Sequence, residues 1–222
     1  MARADGEVPH ARWIQTSANI ALGVASDHLT TWQIVVASGQ LPTYAGATLL
    51  RAALEAALLT RWLVDPRVSS EERVARGIAA QLADYMERAK FEAVAKTSGS
   101  RPPGSGKSAT ERTSELVAAR DAANLPVVKF RGPTSLAREY GASGYRDISW
   151  LYILLSAFAH AKPWALNATQ LSPGVPTSVA GISRTSAAAS DTLVIGGTEI
   201  VTGHVEVAIV EHETYLGLCD VG

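Results

Sequence analysis

The stretch LLRAALEAALLTRWLV, residues 49–64, decides the fold class expected of this 222-residue chain. Drawn as a helix, it carries apolar side chains on nearly every face, which is typical of a helix buried on all sides. Pro42 suits the first turn of that helix, and Asp65 followed by Pro66 ends it, because the residue before a proline disfavours the α conformation. A helix of this kind needs other helices around it, so we expect a packed helical core.

The segments on either side of this stretch also predict helices. Residues 10–38 carry apolar side chains at near-helical spacing, and Gly39 follows as a helix-ending residue. Ser69 with Glu72 three residues later forms a capping box, which predicts a third helix over 70–96.

The second half of the chain gives a less uniform pattern. Ser108 with Glu111 forms another capping box and predicts a short helix to Ala123. Residues 168–197 are small, polar and rich in glycine, which predicts either an irregular loop or a β-hairpin. Further helices are expected over 134–140, 144–161 and 198–218, although the β-branched residues of the last would also suit strands.

These elements predict one mostly α domain over 1–222, an up-and-down bundle of about five to six helices. The insertion around 168–197 interrupts it, and the Gly/Ser/Pro-rich residues 97–108 are expected to be a flexible loop.

Composition limits the compartment and the partners. The net charge of −1 provides no global field for nucleic acid or acidic membranes. The single cysteine, Cys219, cannot form an internal disulfide, which fits a reducing compartment. The first residues lack the apolar core of a signal peptide, and charges interrupt residues 49–64, which makes a poor membrane span. We therefore expect a cytoplasmic protein without membrane contact, and nucleic acid is a disfavoured partner.

Arg51 and Glu55 lie four residues apart in the apolar helix and therefore on one face. The order of arginine before glutamate is the weaker one for an exposed pair, so surface stabilisation explains it poorly. A buried guanidinium needs a partner, because an unpaired buried charge is strongly destabilising. We expect an internal ion pair, which either fixes the helix packing or orients Arg51 to hold an anion.

The segment YRDISWLYILLSAFAHA, residues 145–161, combines a buried face with a polar line. The expected buried face consists of Ile148, Leu151, Leu155 and Phe158, and Trp150 and Ile153 leave other sides apolar too. The polar line consists of Tyr145, Ser149, Tyr152, Ser156 and His160. Because buried polar groups need hydrogen-bond partners, this line indicates either an internal network or a ligand pocket.

Charged side chains near these two helices suggest a small anionic ligand. Histidine changes charge near neutral pH, so His160, in the last turn before Pro163, could act as a general acid or contact an anion. Ser156, Glu55 and His160 are the catalytic candidates, and Tyr152 is a candidate ligand contact. Arg73 and Arg76 follow the apolar helix directly and could point back toward Arg51, and converging arginines bind phosphate or carboxylate well.

Several apparent motifs do not meet the requirements of their chemistry. GSGKS, residues 104–108, resembles the end of a nucleotide-binding loop, but Arg101 occupies the position of the first glycine. His204 and His212 lack the spacing and the companions of a metal site. Neither a G-x-S-x-G nor a G-x-G-x-x-G motif is present. We therefore expect neither metal nor cofactor.

Part of the sequence resembles a family of uncharacterised actinobacterial proteins. The shared pattern comprises Asp-His, Arg-x-x-x-Glu, Asp-Pro, Glu-Arg-x-x-Arg and Ser-x-x-x-His. Here these are Asp27, His28, Arg51, Glu55, Asp65, Pro66, Glu72, Arg73, Arg76, Ser156 and His160. The resemblance adds Asp27 and His28 to the candidate ligand-binding residues, but the family has no established activity.

The helical layout is also distantly similar to the HEPN superfamily, which includes ribonucleases of defence systems. The resemblance implies action on RNA or nucleotides, usually as a dimer. The catalytic arginine and histidine of that superfamily are closely spaced, whereas Arg146 lies too far before His160. This departure and the near-neutral charge disfavour nuclease activity.

Three functions remain open. The favoured one is an internal polar pocket for a small anionic ligand, in a binding protein or in an enzyme that uses His160 for acid/base chemistry. The second is a HEPN-like RNA- or nucleotide-acting protein, expected to be a homodimer, and the third is a helical interaction module without catalysis. The first requires Arg51, Glu55, Arg73, Arg76, Tyr152, Ser156 and His160 to converge.

Overall fold

The computed structural model describes residues 5, 10–39, 41–42, 44–100, 106–141, 148–168, 170–171, 175–176, 183–184, 187–188 and 192–218. These residues contain seven α-helices. They are α1 (Arg12–Ala37), α2 (Ala45–Val64), α3 (Ser70–Thr97), α4 (Ala109–Ala122), α5 (Pro133–Gly141), α6 (Ser149–Ala159) and α7 (Gly197–Leu216). The mostly α class is therefore confirmed. The helix count exceeds the expected one because α5, predicted as one or two turns, is a helix of nine residues.

Local signals place several helix ends. The Ser69 side chain accepts a hydrogen bond from the backbone N–H of Glu72 at the start of α3. At the start of α4, Ser108 and Glu111 form both halves of a capping box. The last segment, which could have been strands, is the helix α7. Among the described residues, no helix combines the length and the apolar composition that a membrane span requires.

The predicted insertion contains short extended pieces in its described part. Gln170–Leu171 pairs antiparallel with Ala187–Ala188, and Val175–Pro176 pairs antiparallel with Ser183–Arg184. A 3-10 helix at Pro163–Ala168 precedes these pieces, and a π-helical turn at Thr192–Gly196 follows them. The connecting residues lie outside the described ones, so the hairpin stays a prediction. Tyr145, Cys219 and residues 101–105 of the predicted flexible loop also lie outside them.

The chain divides into two compact units, and the single domain stays a prediction. Unit 1 comprises Met1–Ile20, Thr60–Arg131 and Val210–Gly222. In its core the Trp62 and Phe130 rings meet edge to face, with centroids 5.7 Å apart. Gly77 on α3 lies against the backbone of α1, because an added Cβ would be only 3.0 Å from the Ile14 nitrogen.

Unit 2 comprises Ala21–Leu59 and Gly132–Ile209. Its core includes the apolar face expected of α6, and Ile148, Leu151, Leu155 and Phe158 are all buried. Gly46 leaves room for the indole of Trp32, whose Nε1 donates to the Thr198 hydroxyl at 2.8 Å. Trp150 and Ile153 are half exposed, so α6 buries one face rather than its whole circumference.

Candidate anion-binding site

Arg51 and Glu55 form the predicted ion pair on α2. The Arg51 Nε lies 2.8 Å from the Glu55 Oε1. The two side chains are 22% and 28% exposed, so the pair is half-buried rather than internal as predicted. Although most of α2 after Leu50 is buried, the face that carries this pair remains accessible to solvent. A guanidinium that solvent can reach can also be reached by a small ligand.

Tyr152 connects α6 to this ion pair. Its hydroxyl donates to the Glu55 Oε1 at 2.9 Å, so that one carboxylate oxygen accepts from both Tyr152 and Arg51. The Arg51 guanidinium carbon lies 5.9 Å from the centre of the Tyr152 ring, within the range of a cation–π contact. Tyr152 is 4% exposed and therefore forms the buried floor of the cluster.

His160, immediately after α6, completes the cluster from its exposed side. Its Nε2 lies 3.3 Å from the Arg51 Nη1. A guanidinium can only donate hydrogen bonds, so in this contact the His160 Nε2 is the acceptor. We call Arg51, Glu55, Tyr152 and His160 the Arg51 cluster; all four belong to unit 2.

The electrostatics of the cluster fix Tyr152 and Arg51 in their donor forms. Burial, and then the Glu55 charge, raise the pKa of Tyr152 above its ordinary value. Burial lowers the pKa of Arg51, but the Glu55 charge and the Tyr152 hydroxyl outweigh it, so the net shift is upward. The charge of the Arg51 guanidinium and that of the Glu55 carboxylate cancel within the cluster.

A cavity of about 430 Å³ lies in the same unit, around the end of α6. Its lining is mostly apolar, and the residues are Tyr44, Ala157, Phe158, Ala161, Lys162, Pro163 and Ala165. Two of these residues, Tyr44 and Phe158, pack against each other with ring centroids 6.1 Å apart. The volume falls in the range of small-molecule sites.

Arg73 lies in unit 1 and makes its hydrogen bonds with residues of that unit. It is 4% exposed, and its Nε and Nη2 donate to the two oxygens of Asp5 at 2.8 and 2.7 Å. Its Nη1 donates to the backbone carbonyls of Asp65 and Val68. A ligand anion would have to displace Asp5 to reach this guanidinium.

Arg76 is also buried in unit 1 and is engaged there. Its Nη2 donates to the Glu72 Oε1 at 2.8 Å, and its Nη1 donates to the Trp62 carbonyl at 2.9 Å. Asp65 contributes a second carboxylate at 3.5 Å. Both guanidinium groups are engaged by protein partners in unit 1. These contacts do not support the prediction that Arg73 and Arg76 converge on a ligand.

The other predicted residues are Asp27, His28 and Ser156, and none of their side chains takes part in the contacts described for the Arg51 cluster. Asp27 is exposed and His28 is half-buried on α1, and the contacts that hold the Arg51 cluster together involve neither. Ser156 is half-buried, and its backbone carbonyl accepts from the His160 N–H at 3.0 Å. The catalytic role of the Ser156 hydroxyl stays a prediction.

Sequence reasoning missed two sets of residues. Tyr44 and Lys162 line the cavity; Tyr44 precedes Arg51 by seven residues and so shares its helical face, which was a usable signal. Asp5 and Tyr215 meet Arg73 in unit 1, with hydrogen bonds from both Arg73 and Tyr215 to the Asp5 carboxylate. No local sequence pattern predicts a role for Asp5 or Tyr215, because their partners are distant in sequence.

Comparison with protein-family profiles, curated proteins and solved structures gives no match to this chain. Among the described residues, no three His, Cys, Asp or Glu side chains are grouped so that they could hold a metal ion. The Arg51 cluster therefore has to be interpreted from its own chemistry.

Proposed function

We propose that this protein binds a small anionic ligand at the Arg51 cluster. The observation that supports it is the contact between the Arg51 guanidinium and the His160 ring, on a half-exposed face. A guanidinium has five N–H groups, and the contacts with Glu55, His160 and the Tyr152 hydroxyl engage only part of them. The remaining donors suit the oxygens of a carboxylate or phosphate.

Glu55 and Tyr152 act as positioning residues in this proposal. Glu55 holds Arg51 at Nε, and Tyr152 holds Glu55 through the same oxygen. The guanidinium is thus oriented before the ligand arrives, which reduces the ordering cost of binding.

His160 couples ligand binding to proton uptake. The neutral cluster carries no net positive charge, whereas an imidazolium beside Arg51 would give the pair a positive charge that attracts an anion. A protonated ring can no longer accept from Arg51, so this contact opens and the donors of both side chains can face the ligand. In an enzyme, the same proton is the one that His160 would exchange with the ligand.

A matched pair of variants tests the proposal with inorganic phosphate and acetate as probes. Arg51→Gln should weaken their binding about tenfold or more in titration calorimetry, because the paired donors are lost. Arg88→Gln is the control, since Arg88 also pairs with a glutamate four residues later, Glu92, at 2.7 Å on a half-exposed helix face. Equal effects of the two variants would contradict the proposal.

Proton uptake gives a second readout that a structural role would not change. Calorimetry in buffers of different ionisation enthalpy should detect a proton taken up with the anion in the wild type and lost in His160→Ala. Native mass spectrometry of the freshly purified protein adds the identity of any retained ligand. A retained nucleotide or RNA would favour the HEPN-like alternative instead.

A further inference from the structure

The end of α6 differs from the other helix ends in one residue. Five described positions after helices have positive φ angles, namely Gly39, Gly99, Asn124, Ala161 and Gly217. Glycine and asparagine tolerate this left-handed conformation, whereas the Cβ of alanine is strained there. Ala161 has φ of 50° and is therefore the unusual member of the set.

The backbone at Ala161 follows the same hydrogen-bond pattern as the relaxed ends. The N–H of Ala161 donates to the carbonyl of Phe158, and that of Lys162 donates to Ala157. At the end of α7, Gly217 and Leu218 make the equivalent two bonds. This is the Schellman arrangement, which glycine usually completes. The conformation is thus required by the helix end, and the methyl group at 161 needs another explanation.

The methyl group of Ala161 has a place in the cavity wall. Ala161 lines the cavity together with the Phe158 ring, and glycine would remove that part of the wall. Strained backbone tends to be kept at ligand-binding positions, where the surrounding structure stabilises it. The strain and the cavity are separate observations that indicate the same site.

The cavity is close enough to the Arg51 cluster for one small molecule to reach both. Tyr44 precedes Arg51 by seven residues, and the Thr48 N–H donates to the Tyr44 carbonyl, so helical spacing extends back to Tyr44. Seven residues along a helix correspond to about 10 Å. At the end of α6, the cavity residues Phe158 and Ala161 lie on either side of His160 in the sequence.

We propose that the ligand of the Arg51 cluster is an amphipathic carboxylate whose apolar body occupies this cavity. The inference rests on the proposed anion site and adds the class of ligand. Tyr44, Phe158 and Pro163 supply the apolar walls. Lys162 also lines the cavity and is exposed, and its positive charge suits a carboxylate ligand.

A series of straight-chain carboxylates from acetate to octanoate tests this, with dissociation constants measured at fixed ionic strength. Burial of each added methylene should tighten binding roughly fourfold until the cavity is filled. Octylamine, which has the same chain and the opposite charge, should bind more weakly than octanoate.

Cavity-filling variants separate the cavity from the anion site. Ala165→Leu should abolish the gain with chain length and leave acetate binding unchanged, because Ala165 is a buried wall residue. If Ala165→Leu does not fold, Ala157→Val fills a smaller part of the same cavity and serves as the second variant. Ala37→Leu, at an exposed position of α1 in the same unit, should keep the wild-type series.

Each outcome distinguishes the two proposals. If acetate and phosphate bind through Arg51 but octanoate binds no better, the amphipathic ligand is wrong and the anion site remains. If octanoate binds more tightly than the shorter carboxylates, and binds the wild type and Arg51→Gln equally well, the cavity remains as a site. The assignment of the carboxylate to Arg51 is then wrong. An unchanged series in both filling variants would overturn the use of the cavity.

Discussion

Arg73 of unit 1 and Arg51 of unit 2 are both paired with a carboxylate, yet their surroundings suit different tasks. Arg73 is 4% exposed, grips both oxygens of Asp5 and donates its remaining nitrogen to backbone carbonyls. The Arg51 side chain is 22% exposed, shares one Glu55 carboxylate oxygen with Tyr152, and lies 3.3 Å from the His160 Nε2 through its Nη1. An arginine can bind a ligand when some of its N–H groups lack protein partners, so proximity to an apolar helix is not by itself a sign of a binding site.

The largest expected effect is on the buried pair. Arg73→Ala should lower the free energy of unfolding by about 3–5 kcal/mol, because it leaves the Asp5 carboxylate buried without its charge partner. Arg51→Ala should cost less than about 1 kcal/mol, since its ion pair is half-exposed. Urea unfolding of both variants measures the contrast.

The control for the buried pair is the double variant Asp5→Leu with Arg73→Met. Replacing both partners by apolar residues removes the unpaired charge, so part of the lost stability should return. Equal losses in Arg73→Ala and Arg51→Ala would remove the distinction between the two units.

An intermediate effect is expected at the helix ends. Ala161→Gly should raise the free energy of unfolding by about 1 kcal/mol, because glycine relieves the left-handed strain after α6. The same variant should bind octanoate more weakly than the wild type does. Gly217→Ala, at the matching end of α7, should be destabilising by a similar amount in thermal unfolding.

If Ala161→Gly lowers stability and leaves octanoate binding unchanged, the methyl group serves packing alone. The comparison with Gly217→Ala then shows whether the strain at these ends is real.

The smallest expected effect is a change in the free energy of unfolding with pH, and it arises from His212 on α7. Burial holds the pKa of His212 below its ordinary value of 6.5, although the Glu213 charge acts in the opposite direction. The fold therefore favours the neutral ring. Its contribution to stability is complete above the unfolded pKa and is lost as the pH falls below 6.5 toward the folded pKa. Protonation of Asp5 lowers the free energy of unfolding only in more acidic solution, because its pKa in the folded protein lies below 3.8.

The measurement is urea unfolding at about pH 7.5 and about pH 5, on either side of the ordinary titration range of histidine. The wild type should lose stability between them, and His212→Phe should lose less. Val74→Ala, an uncharged change in the core of unit 1, should lower stability by the same amount at both pH values. A wild-type loss that His212→Phe does not reduce would assign the pH dependence to other groups.

Local rules predicted much of the fold, because the signals that end helices lie beside the helices. Asp65–Pro66 directly follows the end of α2 at Val64, and Ser69 and Ser108 precede the first residues of α3 and α4. Periodicity also predicted the buried face of α6, and the apolar residues on its other sides, Trp150 and Ile153, are half exposed. A helix with apolar residues on several sides does not itself show which side the core covers.

The candidate site was predicted in part, for a related reason. The spacing of Arg51 and Glu55 requires them to be neighbours, and the polar line on α6 supplied Tyr152 and His160. The actual partner of Arg73 is Asp5, which lies 68 residues away and has no pattern around it. Pairings of this kind depend on tertiary packing and cannot be deduced from helical spacing.

The contact between Asp5 and Tyr215 has a consequence for the synthesis of the chain. The carboxylate is made first, its guanidinium partner Arg73 on α3 follows, and the hydroxyl of Tyr215 on α7 is made last of the three. On the ribosome, Asp5 can therefore meet Arg73 well before its hydrogen bond from Tyr215 exists. We expect docking of α7 to be a late step that completes this network, after the earlier helices have emerged.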